Sequence, residues 1–332
     1  MNKYQEVVAA ILAAENIVIT SHKSPDGDSV GSSLGLLYFI EKLGKNATIC
    51  HPDVAPDFLY DFGTDGFLLM TDHQDQVRNK FEEADLLFSL DYNGTDRVGE
   101  EMQVLLETST CKKIMIDHHL EPSSFADIMI SETSASSTCQ LIAELIIQSG
   151  NDEKLDQKVG TPIYLGILTD TGSFRFSSVE PRTHEILAKL LSAGVEHHLI
   201  HEAINDTNTE SRIRLQGFAL SEKMIVLDDY MAAIIPLSKE ELESYEYKKG
   251  DTDNLANLAL TIRGMKMAVM LSEKDGKVKM SFRSKGENNP VNTLAADHFD
   301  GGGHANAAGG ISDLSLDETV EKLKQLIPNY FG

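Results

Sequence analysis

The stretch KKIMIDHH, residues 112–119, decides the fold that we expect for this chain. Its apolar centre, IMI, is typical of a strand that is buried on both faces of a parallel sheet. The run ends directly in Asp117, His118 and His119. In open parallel sheets ligands bind beyond the carboxyl ends of the strands. We therefore predict a sheet that presents an acid and two imidazoles at its functional edge.

Three other apolar segments lead into acidic or imidazole side chains in the same way. The run at 17–19 precedes HKSPDGD, the run at 86–90 precedes an acid, and the stretch at 163–168, which also fits a helix, precedes DTG. Each motif alone has a bland alternative, such as an Asp-Gly turn, a helix cap or an acid that ends a strand. Together, four acids and two imidazoles at one edge can hold two divalent ions about 3.5–4 Å apart.

The composition bounds the class of protein. The 332 residues carry a formal net charge of −23 and are 41% hydrophobic, with 9 prolines, which indicates a globular chain large enough for two domains. Such acidity argues against binding of long nucleic acid, which requires neutralisation of phosphates by Lys and Arg. No apolar run approaches the ~20 residues of a membrane span, and no signal peptide is evident. Three widely spaced cysteines favour reduced thiols, so we expect a cytoplasmic protein without membrane partners.

Strand and helix patterns alternate over the first half of the chain. Such alternation predicts an α/β fold, a parallel sheet with helices on both faces. The predicted strands lie near 17–21, 47–50, 86–90, 113–117 and 126–130, and the predicted helices at 33–43, 137–148 and 181–191.

The pattern changes in the second half, where strands dominate and Asp275-Gly276 marks a tight hairpin. We predict a catalytic domain at 1–192, a helical linker at 193–214 and a smaller α+β domain at 215–332. The predicted strands of this half lie at 224–227, 231–235, 267–271 and 278–283, and its helices at 291–299 and 316–327.

A glycine-rich loop near the C-terminus is the second candidate site. Consecutive glycines let a backbone approach a ligand closely and expose amides to an anion, although a flexible loop with an exposed histidine is the alternative. The stretch from Thr261 to Gly286 contains seven basic residues and only two acids, which indicates one anion-facing region in an acidic chain. The expected phosphate-binding residues are Arg283, Gly301, Gly302, Gly303 and His304.

Three further clusters are weaker candidates. The segment DHQD at 72–75 has a metal-like composition, but a solvated loop is favoured. His197 and His201 are spaced for chelation on a helix, but a surface helix is favoured. The motif FRF at 174–176 has the composition of a base-stacking segment, while core packing of alternating aromatics is an equal alternative.

In combination and in this order, the motifs resemble the DHH phosphoesterase family, and the terminal glycine segment resembles its DHH-associated domain. The resemblance spans nearly the whole chain, and size and layout are most similar to the branch of bifunctional oligoribonucleases and 3′-phosphoadenosine 5′-phosphate (pAp) phosphatases. It implies a parallel-sheet catalytic domain and a smaller α+β domain across a cleft.

The resemblance also implies roles for individual residues. His22, Asp26 and Asp91 would hold one Mn²⁺, and Asp28, Asp91, His118 and Asp170 the other, with Asp91 bridging. Asp117 would orient an imidazole, and His119 would contact the scissile phosphate, so that Asp91, Asp117 and His119 form the catalytic set. Arg283, His304 and the amides of Gly301, Gly302 and Gly303 would bind the substrate.

We therefore expect a Mn²⁺-dependent hydrolase of short RNA and pAp, with linear or cyclic dinucleotides as further substrates, acting by hydroxide attack at two metal ions. Mg²⁺ or another divalent ion is compatible with the same ligands, and a homodimer is compatible with the sequence. One alternative is a manganese pyrophosphatase or exopolyphosphatase, since the sheet-edge site would serve either. An alternative of a different class is a non-catalytic nucleotide sensor.

Overall fold

The computed structural model describes residues 2–286 and 288–331 of the chain. It divides into two compact units, Met1–Thr207 and Asn208–Gly332. Within the described residues no helix is both long and apolar enough to cross a membrane.

The first unit is built on a six-stranded parallel sheet, as predicted from the alternating strand and helix patterns. The strand order is β3-β2-β1-β4-β5-β6, so the chain winds outward from β1 in one direction and from β4 in the other. The junction of β1 and β4 is the topological switch point at which such sheets bind ligands. The strands are β1 (Ile17–Thr20), β2 (Ala47–His51), β3 (Leu68–Leu69), β4 (Leu86–Leu90), β5 (Lys112–Asp117) and β6 (Ile128–Ser131).

Both faces of this sheet are buried, which explains the nearly continuous apolar runs of its central strands. Alternate residues of β1 and β4 enter two different cores: Ile19 and Phe88 pack in one, Val18 and Leu87 in the other. Helices cover each face, confirming the predicted fold. The helices of this unit are α1 (Lys3–Ala13), α2 (Gly27–Lys42), α3 (Gln74–Glu83), α4 (Glu100–Thr108), α5 (Thr138–Gln148), α6 (Gln157–Asp170), α7 (Pro181–Ser192) and α8 (His197–Asn205).

Helix α2 begins six residues earlier than the predicted helix at 33–43, so that prediction of its start is wrong. Asp26 caps the helix, its carboxylate accepting from the backbone amides of Asp28 and Ser29 at 3.0 Å each. The glycines near its start suggest a turn in sequence, but they serve packing. A Cβ at Gly31 would lie 2.4 Å from the carbonyl oxygen of Pro162 in α6.

Helices α1, α3 and α4 are absent from the prediction. The stretch at 163–168, for which a helix is one of the expectations, lies inside helix α6. Helix α3 buries only Val77 and Phe81, and α4 only Met102 and Leu106. Two buried positions per helix give a weak apolar periodicity, which is why the sequence pattern did not reveal them.

The second unit contains a mixed sheet of order β11-β12-β10-β9-β8-β7, antiparallel except between β8 and β9. Asp275 and Gly276 form the predicted hairpin, with φ of 55° and 74°. The elements are α9 (Glu210–Phe218), β7 (Ile225–Leu227), β8 (Ala232–Leu237), α10 (Lys239–Ser244), α11 (Leu255–Ala259), β9 (Met267–Lys274), β10 (Lys277–Ser284), α12 (Asn292–His298), β11 (Gly302–His304), β12 (Ala307–Ser312) and α13 (Leu316–Phe331).

The prediction of a glycine-rich loop is wrong, because most of this segment forms the hairpin of β11 and β12. A Cβ at Gly301 would lie 2.1 Å from the carbonyl oxygen of Gly309, and one at Gly303 would lie 2.6 Å from that of Ala307. These glycines are therefore required by close strand packing as well as by any ligand.

Candidate metal centre

Four segments deliver the predicted ligands to the carboxyl edge of the first sheet. The segment after β1 carries His22 and leads into α2, and Asp91 follows β4 on the other side of the switch point. His118 follows β5, and Asp170 is the last residue of α6.

The first group of potential ligands consists of His22, Asp26 and Asp91, whose ligand atoms all lie within 4.8 Å of one another. His22 Nε2 is 3.7 Å from Asp26 Oδ2 and 3.4 Å from Asp91 Oδ2. The other ring nitrogen, Nδ1, is 2.9 Å from the carbonyl oxygen of Lys23, to which it can only donate. This bond leaves Nε2 available as a ligand atom.

The second group consists of Asp28, His118 and Asp170. His118 Nε2 lies 3.8 Å from Asp28 Oδ2 and 3.4 Å from Asp170 Oδ2. Its Nδ1 donates to the carbonyl oxygen of Ala135 at 3.3 Å, so Nε2 again faces the carboxylates.

Asp91 stands between the two groups. Its Oδ2 faces His22, as above, and its Oδ1 is 3.6 Å from His118 Nε2. The residue has a φ of 63°, a left-handed conformation that is uncommon outside glycine and is enriched at functional sites. One carboxylate that presents an oxygen to each group is the arrangement that a bridging ligand requires.

The N-terminus of α5 supports the acids, and sequence reasoning missed this contribution. The hydroxyl of Thr138 donates to Asp91 Oδ1 at 3.0 Å, and its amide donates to Asp28 Oδ2 at 2.6 Å. The amide of Cys139 donates to Asp28 Oδ1 at 2.8 Å. The only signal in the sequence is a Ser-Thr pair before an apolar helix, which by itself indicates a helix cap.

Asp117 orients His119 rather than His118. Its Oδ1 lies 2.7 Å from His119 Nδ1, and its Oδ2 accepts from the His119 amide at 3.1 Å. The Asp117 side chain is fully buried, whereas that of His119 is 37% exposed. His119 also belongs to a third group of potential ligands, with Asp91 and His118. His119 Nδ1 lies 3.8 Å from Asp91 Oδ1. Because Nδ1 is engaged with Asp117, Nε2 is the ring atom that could contact a substrate or an ion.

The electrostatics of the cluster favour a bound cation. Burial and the nearby charge of Asp28 raise the pKa of Asp170 to about 8, and the same two causes hold the pKa of Asp91 well above its usual range. Burial lowers the pKa of His22, but the carboxylates of Asp26 and Asp91 outweigh it and raise that pKa to about 11. A cation among these acids would relieve their mutual repulsion.

The donor set also fits such a cation. Carboxylate oxygens suit hard divalent ions, and imidazole nitrogens extend that preference to ions such as Mn²⁺. The six predicted ligands, His22, Asp26, Asp28, Asp91, His118 and Asp170, all occur in these groups.

The substrate-binding residues predicted from the sequence lie in the second unit. Arg283 of β10 and His304 of β11 both pair with Ala307 of β12, so the three residues form one cross-strand row. Residues directly opposite each other in a sheet point to the same face. Arg283 and His304 therefore share a face; His304 is exposed and Arg283 half-buried.

The basic stretch at 261–286 is less available to anions than its charge suggests. The ammonium group of Lys285 donates to the carbonyl oxygen of Leu260, and that of Lys266 donates to the carbonyl oxygen of Phe331. Lys277 pairs with Asp313 at 2.9 Å. Three of the seven basic residues thus stabilise the unit itself.

The weaker candidates form no potential ligand group among the described residues. His73 lies just before α3, where its ring accepts from the Leu69 amide. His197 and His201 lie on α8, with ring centroids 6.2 Å apart.

The chain is similar to known families and proteins over nearly its whole length. The family model described as DHH family, N-terminal domain, matches residues 16–167, and the DHHA1 domain model matches 230–330. The "Bifunctional oligoribonuclease and PAP phosphatase NrnA" of Thermus thermophilus is 30% identical over 97% of this chain and 92% of that protein. The protein of the same name from Bacillus subtilis is 27% identical over 97% and 96%. The crystal structure of an exopolyphosphatase-related protein from Bacteroides fragilis is 37% identical, covers 99% of this chain and 96% of that one, and has a TM-score of 0.91.

Proposed function

The chain belongs to the DHH family and is a phosphoester hydrolase, and from that premise we propose that it hydrolyses short oligoribonucleotides and pAp with two bound divalent ions, preferably Mn²⁺. Linear and cyclic dinucleotides belong to the same proposed substrate class. The observation that carries the proposal is the position of Asp91, whose two oxygens face two separate imidazoles, His22 and His118.

We assign His22, Asp26 and Asp91 to one ion and Asp28, Asp91, His118 and Asp170 to the other. Bound divalent ions would lower the pKa of a water molecule and neutralise charge on the phosphate. The rest of the assignment concerns the chain's own residues.

His119 is the residue that we assign to the phosphate. Its Nδ1 proton is held by the buried Asp117 at 2.7 Å, which fixes the ring and keeps its Nε2 directed away from that carboxylate. Such a ring can donate to or accept from an oxygen of the scissile phosphate as charge develops there.

We propose that the second unit binds the substrate. The proposed domain bounds are 1–192 for the catalytic domain, 193–214 for a helical linker and 215–332 for the substrate-binding domain. The shared face of Arg283 and His304 supports this assignment, because a guanidinium and an imidazole can together contact a terminal phosphate. The amides of Gly301, Gly302 and Gly303 lie next to His304 in the sequence and complete the proposed set.

A panel of substrates tests the proposal. With Mn²⁺ present, we expect turnover of pAp, a diribonucleotide, pApA and cyclic di-AMP that exceeds turnover of pyrophosphate and long-chain polyphosphate. Faster hydrolysis of polyphosphate would favour exopolyphosphatase activity, the activity suggested by the name of the Bacteroides fragilis relative. Binding of all substrates without turnover would favour a nucleotide sensor.

A further inference from the structure

We propose that the ring of Phe176 is a stacking platform for a nucleobase of the substrate, beside the proposed metal ligand Asp170. This inference rests on the proposed function, because it assigns the part of the site that recognises the base. It also separates the two rings of the motif FRF, which the sequence alone does not distinguish.

The segment that carries Phe176 is a fixed turn. Residues 172–174 have consecutive positive φ angles of 55°, 60° and 64°. The carbonyl oxygen of Thr171 accepts from the amides of Arg175 at 3.0 Å and Phe176 at 3.1 Å. A turn held in this way presents its side chains in one arrangement, so binding does not have to order the segment.

The two phenylalanines have different environments. The ring of Phe174 packs against Tyr164 and His201, with centroid separations of 5.9 and 6.4 Å, and is partly buried. Phe176 is 54% exposed. Of these two phenylalanines, Phe176 is therefore the one that offers an aromatic surface to a ligand.

The exposed ring lies on the backbone next to the site. A Cβ at Gly172 would lie 2.5 Å from the nearest ring atom of Phe176, so the ring rests directly on that glycine. Gly172 is two residues from Asp170, and their Cα atoms are at most ~7.6 Å apart. A single exposed phenylalanine is ordinary on a protein surface, but this one is positioned within the length of a nucleotide from a proposed metal ligand.

The negative charge of the chain gives a reason for binding the substrate through its base. Because the chain has a formal net charge of −23, long-range electrostatics do not attract an anionic nucleotide to it. Stacking on an aromatic ring does not depend on charge and tolerates every base, because each base has a π-face. Phe176 would thus hold short substrates of varied sequence.

The chain contains no tryptophan, which permits a direct binding test. In the Mn²⁺-loaded protein, Phe176→Trp introduces a single tryptophan, which can be excited selectively over the 9 tyrosines, and we expect AMP to quench its fluorescence while ribose 5-phosphate does not. The matched control is Leu12→Trp, because Leu12 is 49% exposed on the helix that precedes the amino end of β1, and it should respond to neither. No quenching by AMP, or equal quenching by both ligands, would overturn the inference.

Kinetics provide the second test. We expect Phe176→Ala to raise KM for pAp about tenfold with kcat nearly unchanged, and Phe176→Tyr to restore KM. For a base-free analogue, tetrahydrofuran 3′,5′-bisphosphate, KM should not change. An equal rise for both substrates, or no rise, contradicts the stacking role. If the wild-type protein hydrolyses neither substrate, the proposed function fails, and the fluorescence titration still decides the role of Phe176.

Discussion

Single residues at the candidate metal centre are destabilised by burial and by mutual repulsion when no cation is bound. Asp91 is buried and its backbone has a left-handed conformation. Burial together with the charge of Asp28 raises its pKa. Burial and the charge of Asp28 also raise the pKa of Asp170. Acids arranged in this way favour ion binding over the stability of the ion-free fold.

The raised pKa of Asp170 predicts a pH-dependent stability of the EDTA-treated protein. An aspartate has a pKa of about 3.9 when unfolded and here about 8 when folded, so its stabilising contribution is complete below pH 4 and is lost as the pH rises through 8. We expect Tm to fall between about pH 5 and 8, and to fall less in Asp170→Asn. Thermal unfolding in EDTA measures this; a Tm that rises over this range, or the same slope in both proteins, is inconsistent with it.

Thr138 gives a second prediction for a single residue. Thr138→Val keeps the volume but removes the hydroxyl that donates to Asp91, so we expect Mn²⁺ affinity to weaken by about tenfold. Thr138→Ser should retain the affinity. The control Thr161→Val removes the hydroxyl of a half-buried residue, which donates to the Gln157 carbonyl oxygen within α6, and should have no effect. Calorimetric titration with Mn²⁺ compares the four proteins, and unchanged affinity in Thr138→Val would refute the supporting role.

From the sequence alone, acids and imidazoles that follow β1, β4 and β5 could be predicted to lie at one edge, because apolar runs locate strand ends and parallel strands end together. Asp170 reaches the same edge from the end of helix α6. The sequence did not reveal Thr138, whose hydroxyl reaches Asp91 across 47 residues of sequence. It also did not show which imidazole Asp117 orients, because both histidines follow it within two residues and the side-chain direction decides between them. Contacts of this kind depend on side-chain direction, which a sequence pattern does not encode.

At the scale of elements, the close packing of α2 on α6 determines the distance between Asp28 and Asp170. Gly31 allows this approach, because a Cβ there would meet both the Pro162 carbonyl oxygen and, at 2.9 Å, the thiol of Cys139. Gly27 and Gly31 also explain why the predicted start of α2 is too late, since glycine in a sequence usually indicates a turn. The glycine segment of β11 and β12 was mispredicted as a loop for the same reason.

Gly31→Ala therefore tests the helix pair. We expect a loss of about 1–3 kcal/mol of unfolding free energy, and weaker Mn²⁺ binding because the helices must separate. The control is Gly217→Ala in α9, where a Cβ meets nothing within 4 Å. That change should leave Mn²⁺ binding intact and stabilise the protein by up to about 1 kcal/mol. Denaturant unfolding and calorimetry give both quantities; equal effects of the two variants would contradict this account.

For the whole molecule, the net charge of −23 limits the substrates. Long RNA binds through many phosphate contacts with Lys and Arg, and three basic residues of the one basic stretch are engaged within the second unit. Short substrates require few such contacts.

Because short substrates require few phosphate contacts, we expect hydrolysis to slow as the RNA becomes longer. In a series from two to about twenty-four nucleotides, we expect the highest rates for the shortest substrates and little dependence on salt among them. Single-turnover rates at two salt concentrations provide the measurement. Rates that rise with length would show that the protein retains long strands by a basic groove.

If hydrolysis depends on the carboxylate that Asp91 presents to both groups of ligands, turnover of pAp by Asp91→Asn at saturating Mn²⁺ should reveal it. The substitution preserves shape but removes the charge that faces both His22 and His118. We predict a loss of kcat of about a thousandfold or more. Turnover equal to that of the wild-type protein would contradict the account.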